Sequence, residues 1–161
     1  MMTKDELKDD YLEEFASQRC KVGHKIYSTQ LNAVRFRNLS RDERALLPLV
    51  EEELINNGVM ILSNDGSMPG FALTQNGFNL IYTTTPEDAK QHIKDLVFDK
   101  FERERIKFRQ GFPLTQLQLQ TFANELDPKE EEYIFEALEE LQKDKVILIE
   151  EKSVGTWITR T

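Results

Sequence analysis

The side chains able to carry chemistry are few and scattered. His24 and His92 are the two histidines, and neither has a second ligand at the helical spacing that sets two metal donors on one face. Cys20 is the single cysteine, which excludes an intrachain disulfide framework or a multi-cysteine zinc site and suits a reducing compartment. Its basic neighbours Arg19 and Lys21 would lower a thiol pKa, yet no His or acid is identifiable as its partner. The glycine-containing segment 66–70 reads as a turn, because no lysine or helix start follows it as a phosphate-cradling loop requires. Carboxylates abound at helical spacing, where solvation accounts for them. The expectation is a protein that is not an enzyme and takes no metal or cofactor.

What the charged residues offer instead is two electrostatic ends. The formal charge is −8, from 21 Lys and Arg against 29 Asp and Glu. Between positions 19 and 44 stand Arg19, Lys21, Lys25, Arg35, Arg37, Arg41 and Arg44, opposed by Asp42 and Glu43 alone. Positions 125–151 reverse the balance, with Glu130, Glu131 and Glu132 at their centre. An acidic total repels nucleic acid at long range, but a local basic face can still bind it. The opening residues lack the apolar core of a signal peptide, and no run approaches the ~18 apolar residues that cross a bilayer. A soluble cytoplasmic protein with no membrane association is expected.

The elements that position these charges repeat. Thr29, Gln30 and Leu31 recur as Thr115, Gln116 and Leu117, Phe36 as Phe122 and Asn38 as Asn124. After one inserted residue the match continues: Leu39 with Leu126, Glu43 with Glu130, Glu53 and Leu54 with Glu140 and Leu141, Val59 with Val146. Ser40 with Glu43 and Asp127 with Glu130 both read as capping boxes, in which a short side-chain oxygen takes an orphan helix N–H and the glutamate reaches back. Each opens a long helix, over 41–57 and 128–145. Leu46, Val50 and Leu54 give an apolar stripe in the first, and Ile134, Leu138 and Leu141 in the second. Pro48 should kink or break the first. An apolar, strand-forming run follows each helix (59–62 and 146–149), then a turn with Gly66 or Gly155, then a second strand (71–74 and 156–159). Shorter helices are expected at 30–38 and 116–125, and longer ones at 4–18 and from 85 to about 108, the latter also serving as a rigid connector.

The order helix, short strand, helix, helix, hairpin resembles the winged-helix superfamily, taken twice. The phrase from Phe71 to Gly77 also looks like the second wing strand of many bacterial winged-helix regulators, where Leu-Thr-x-x-Gly is common. The resemblance implies an α+β, mostly helical fold of two tandem winged-helix units, 1–82 and 83–161, joined by a long connector helix.

It also frames the candidate sites. A DNA-reading winged helix needs outward Lys or Arg on its third helix and wing, and here those helices carry glutamates at 51–53 and 130–132. Arg19, Lys21, Lys25, Arg35 and Arg37 are the candidate nucleic-acid contacts, through phosphates and sensitive to salt. Lys100, Arg103, Arg105, Lys107 and Arg109 alternate with Glu102 and Glu104, so i,i+4 pairing on an exposed helix explains them. Glu130, Glu131 and Glu132, Met68 at the first wing tip and Trp157 on the second wing are the candidate protein contacts. Core packing is the default for Trp157, although its alternation with Ile158 turns one of the two outward. The favoured reading is an adaptor that binds a partner protein through acidic helix faces and wings. In type it resembles the acidic tandem winged-helix subunits of chromosome-condensing and membrane-trafficking complexes. The alternative is a DNA-associated transcriptional regulator, dimeric, touching duplex DNA through the basic patch.

Overall fold

The structure is a computed structural model and describes residues 1–64, 66 and 68–161; the turn expected around Gly66 therefore falls partly on Asp65 and Ser67, outside the described residues. The chain is α+β, mainly helical, with two three-stranded antiparallel sheets. It forms two compact units, Met1–Thr83 and Thr84–Thr161.

In the first unit, α1 (Lys4–Ser17) starts where the Thr3 side chain accepts from Glu6 N, and it buries Leu7, Tyr11 and Phe15. β1 (Lys25–Tyr27) and α2 (Ser28–Val34) follow. α3 (Arg41–Asn56) opens with the Ser40–Glu43 capping box and buries Leu47, Val50 and Leu54. β2 (Met60–Ser63) and β3 (Gly70–Leu73) form the hairpin, with β3 as the middle strand between β1 and β2. Every residue of β3 is buried, because Ile26 and Leu62 both lie opposite Phe71 across its two ladders.

Pro48 does not break α3, which runs unbroken from Arg41 to Asn56. Its ring sits on the exposed side of the helix, where water can satisfy the carbonyl it leaves without a donor, while Leu47 and Val50 beside it anchor the buried side.

A fourth helix, α4 (Gln75–Ile81), has no counterpart among the elements expected from the sequence. Thr74 ends β3 and caps α4 at once: its Oγ1 accepts from Gly77 N at 3.0 Å and donates toward the Gly58 and Val59 carbonyls. Gly77 lets the helix press down, since a Cβ there would drive into the Val59 carbonyl oxygen and the Leu73 side chain. The Leu-Thr-x-x-Gly phrase thus has a local physical meaning, a strand end that is also a helix cap.

In the second unit, α5 (Pro86–Arg103) is capped by Thr85 and buries Ala89, Ile93, Leu96, Val97 and Phe101. It stops short of the expected 108 because Arg105 turns to φ 51 and Ile106 N returns to the Phe101 carbonyl at 2.8 Å. Arg19, also at φ 51, and Cys20 N, which bonds the Phe15 carbonyl at 3.0 Å, make the same turn after α1. β4 (Gly111–Pro113) leads into one helical segment built from α6 (Leu114–Leu117), a π-helical turn (Gln118–Phe122) and α7 (Ala123–Glu125). The wider turn brings Leu117, Thr121 and Phe122 to the buried side together. The first unit makes the same excursion at the end of α2, where Phe36 N bonds the Leu31 carbonyl.

The helix expected over 128–145 is two pieces, α8 (Pro128–Glu131) and α9 (Ile134–Lys143). Glu132 N bonds Lys129 O and Tyr133 N bonds Glu130 O, so the chain tightens there to three-residue spacing. That tightening buries Pro128 and Glu130 on the same side as Ile134. β5 (Ile147–Lys152) and β6 (Gly155–Arg160) complete the sheet, with β6 central between β4 and β5. The close of each sheet matches in detail. Gly58 (φ 71) and Lys145 (φ 62) end the preceding helices, and Thr74 Oγ1 and Thr161 Oγ1 donate to their carbonyls at 2.5 and 2.6 Å.

Candidate functional site

The basic stretch of the first unit does not converge on an outward face. Arg35, just past α2, turns inward onto α1, where its guanidinium pairs with Glu14 and Glu13 and lies 3.8 Å from Asp10. Glu14 is buried, and burial pushes its carboxyl up; hydrogen bonds from Arg35 and Gln18 outweigh this and hold it below the usual carboxylate range. Asp10 goes the other way, raised by burial and by Glu13, Asp9 and Glu6 against the pull of Arg35. Arg35 is thus the cation of a carboxylate cluster. Lys25 lays its ammonium on the Met68 carbonyl at 2.6 Å and 5.3 Å from the Tyr27 ring centroid, tying β1 to the hairpin. Arg19 is half-buried at a helix-ending turn, while Lys21 and Arg37 are exposed. Cys20 is buried, and burial together with Glu14 raises its thiol, contrary to the lowering expected from its basic neighbours.

The acidic triplet also divides. Glu130 is buried and completes the Asp127 capping box: Asp127 Oδ1 accepts from Lys129 N and Glu130 N, and Glu130 Oε1 accepts from Asp127 N at 3.0 Å. Its other oxygen lies 2.5 Å from His92 Nδ1 on α5. Glu43 plays the matching part in the first unit, holding Ser40 N at 3.0 Å and Met2 N at 2.7 Å. Those two backbone bonds draw the Glu43 carboxyl down to about 2. Glu131 is half-buried and Glu132 exposed. Along α9 the outward face continues with Phe135, 64% exposed, beside Glu136 and Glu139. Glu136 and Glu140 reach Lys90 on α5 at 3.7 and 3.3 Å.

Lys100, expected on an exposed helix face, is 2% exposed. Its ammonium pairs with Glu104 at 3.0 Å and sits 5.0 Å from the Phe112 ring centroid, so the i,i+4 pair forms at a buried position. Trp157 is half-buried, with Lys152 stacked at 4.8 Å, while its neighbour Ile158 is the core residue of β6. Met68 is exposed. Both hairpins carry apolar side chains in solvent that sequence reading did not single out: Ile61 and Leu62 on β2, Leu148 on β5 and Val154 at the turn. β2 and β5 are edge strands, and their periodicity alone does not say which face the sheet leaves uncovered.

Among the described residues, no group of three or more His, Cys, Asp and Glu is placed to hold a metal, and no helix is long and apolar enough to cross a membrane. Comparisons with protein-family models, with curated proteins and with solved structures found no match.

Proposed function

We propose that the chain is a non-enzymatic adaptor of two tandem winged-helix units that docks a partner protein through acidic and apolar helix faces and hairpins. The repeated order of helix, strand, helix, helix and hairpin, with the last strand central in each sheet, supports the winged-helix reading. On this reading α3 and the α8–α9 pair would be the counterparts of the reading helix, and α5 would serve as connector. The observation that carries the function is the outward face of α9: Phe135 stands exposed among Glu132, Glu136 and Glu139. Carboxylates there repel phosphate, and an exposed aromatic with an acidic rim is the composition of a protein contact.

The competing reading, a regulator that grips duplex DNA through Arg19, Lys21, Lys25, Arg35 and Arg37, is weakened by the inward pairing of Arg35. Two measurements separate them. Anisotropy of a labelled random duplex should show no binding at tens of micromolar protein even at low salt; binding that falls steeply with salt would favour the regulator. Affinity capture should recover a partner that Phe135→Ala together with Glu132→Lys fails to recover, with the fold unchanged by circular dichroism. Equal recovery by that double variant would remove the α9 face from the proposal.

A further inference from the structure

The edge strands β2 and β5 stand at equivalent places in their sheets, yet only β5 is guarded. The ladders fix which backbone groups face outward. Thr74 N bonds the Val59 carbonyl, so Ile61 and Ser63 direct their N–H and carbonyl groups to β3, and Met60 and Leu62 turn theirs away from it. Thr161 N bonds the Val146 carbonyl in the same way, which sets Ile147 and Ile149 outward on β5. There the Ile149 N–H is taken by the side chain of Gln142 on α9, at 2.7 Å. Gln142 falls on Ile55 in the repeat, as Leu141 falls on Leu54. Isoleucine has no acceptor to offer, and among the described residues no other group takes the Leu62 N–H.

The side chains differ in the same sense. β5 carries Glu150, Glu151 and Lys152, charges of the kind that discourage pairing at a sheet edge, whereas β2 is Met60, Ile61, Leu62 and Ser63. Ile61 and Leu62 lie on opposite faces of β2 and are 55% and 56% exposed. An unguarded amide edge with apolar side chains on both faces is a template for strand addition.

We infer that the β2 edge receives an extended, β-branched segment of a partner protein, basic at its ends, as a fourth strand of the first sheet. The backbone groups of Met60 and Leu62 bond the added strand, and Ile61 and Leu62 pack on its two faces. The charge of the partner follows from α3. Glu52 stands one turn before Ile55 on the same side of the helix, exposed and without an ion-pair partner among the described residues. Its neighbours are engaged elsewhere: Glu53 pairs with Lys8 at 3.0 Å, and Glu51 is half-buried. No Lys or Arg lies between positions 45 and 73, a stretch that holds most of α3 and the whole hairpin. An incoming cation therefore meets Glu52 with no like charge from this stretch. A second copy of the same surface would bring no such cation, so the complementary occupant is a different, basic chain. The inference rests on the adaptor reading but uses neither Glu132 nor Phe135.

The probe is a fluorescein-labelled peptide, Lys-Val-Thr-Ile-Thr-Val-Lys, titrated against the full chain by anisotropy. It should bind saturably, slow hydrogen exchange at the Leu62 amide and leave exchange at Ile149 unchanged. Ile55→Gln installs the guard of the second unit and should weaken binding by about tenfold, the equivalent of one lost hydrogen bond. Leu62→Lys puts a charge on the edge at an exposed position and should weaken it likewise without emptying the core. A peptide with glutamate in place of both lysines should bind more weakly than the parent peptide, and Glu52→Lys in the protein should reverse that preference. Glu132→Lys with Phe135→Ala should leave peptide binding unchanged. Absence of saturable binding, indifference to both edge variants, or unaltered exchange at Leu62 would overturn the inference. So would a dimer of the protein alone that Ile55→Gln dissociates in sedimentation, since it would give the edge to a second copy. None of these outcomes bears on the α9 face.

Discussion

Glu14 and Lys100 occupy the same position in the first helix of their units, each one residue before the phenylalanine whose carbonyl closes the helix-ending turn, and both are buried with opposite charge. Glu14 is held by Arg35 and Gln18, whereas Lys100 is held by Glu104 and lies by Thr121, the counterpart of Arg35. Two charge solutions to one buried site explain why neither residue is available for a ligand, and they lead to contrasting mutational outcomes.

Arg35→Ala leaves Glu14 buried with only Gln18 as a donor. Loss of a charge-assisted partner at a largely buried acceptor costs about 1–3 kcal/mol, reduced toward the lower end because the Arg35 side chain is partly solvent-screened. Urea denaturation should show that loss, while Arg37→Ala, at an exposed position, should lie within about 0.5 kcal/mol of the parent. Equal midpoints for the two variants would mean that the Glu14 cluster contributes nothing.

Lys100→Met replaces a buried cation by an apolar chain of similar shape beside Phe112. Removal of a buried ion is often neutral or stabilising when packing is kept, and Glu104 is exposed enough to be solvated once its partner is gone. The thermal midpoint should stay level or rise. A fall corresponding to more than about 2 kcal/mol would show that the Lys100–Glu104 pair is a net stabilising contact.

Glu43 sets a pH dependence. Its folded-state value, drawn down to about 2 by Met2 N and Ser40 N, lies below its ordinary value of 4.5. A depressed carboxylate stabilises the fold fully above its unfolded pKa, and that stabilisation disappears as pH falls through the interval toward the folded value. Glu43→Gln keeps the shape of the capping box without the charge, so parent and variant should differ at pH 6 and converge between about pH 4.5 and 2. A difference that persists unchanged at pH 2 would show that the charge is not what stabilises the cap.

Gly77→Ala tests α4. The added Cβ meets the Val59 carbonyl, a backbone atom that cannot step aside, so the helix must lift. Cys20, buried in the core to which Tyr82 belongs, then becomes reachable. Reaction of this single thiol with an aromatic disulfide reagent should accelerate severalfold over the parent, and stability should fall by about 1–3 kcal/mol. Unchanged thiol kinetics would show that α4 is not the cover of this face.

Local order is what the sequence by itself determined. The capping boxes at Ser40 and Asp127, the strands after each long helix and the matched series from Thr29 to Val59 and from Thr115 to Val146 were legible because each depends on residues a few positions apart. What only the tertiary structure decided is where the charges go. Arg35 meets Glu14 from another helix, and Glu130 meets His92 across the second unit, so composition could count these residues on an outward face while folding turned them inward. The same holds for continuity: Pro48 is tolerated because it faces solvent, and the proline-free stretch around Glu132 breaks because burial of Glu130 and Ile134 demands a tighter turn. Helix α4 escaped notice because seven residues carry little periodicity, and its cap at Thr74 doubles as a strand end. That α4 covers the face at Leu73 depends on contacts between elements, and chain spacing alone does not encode them.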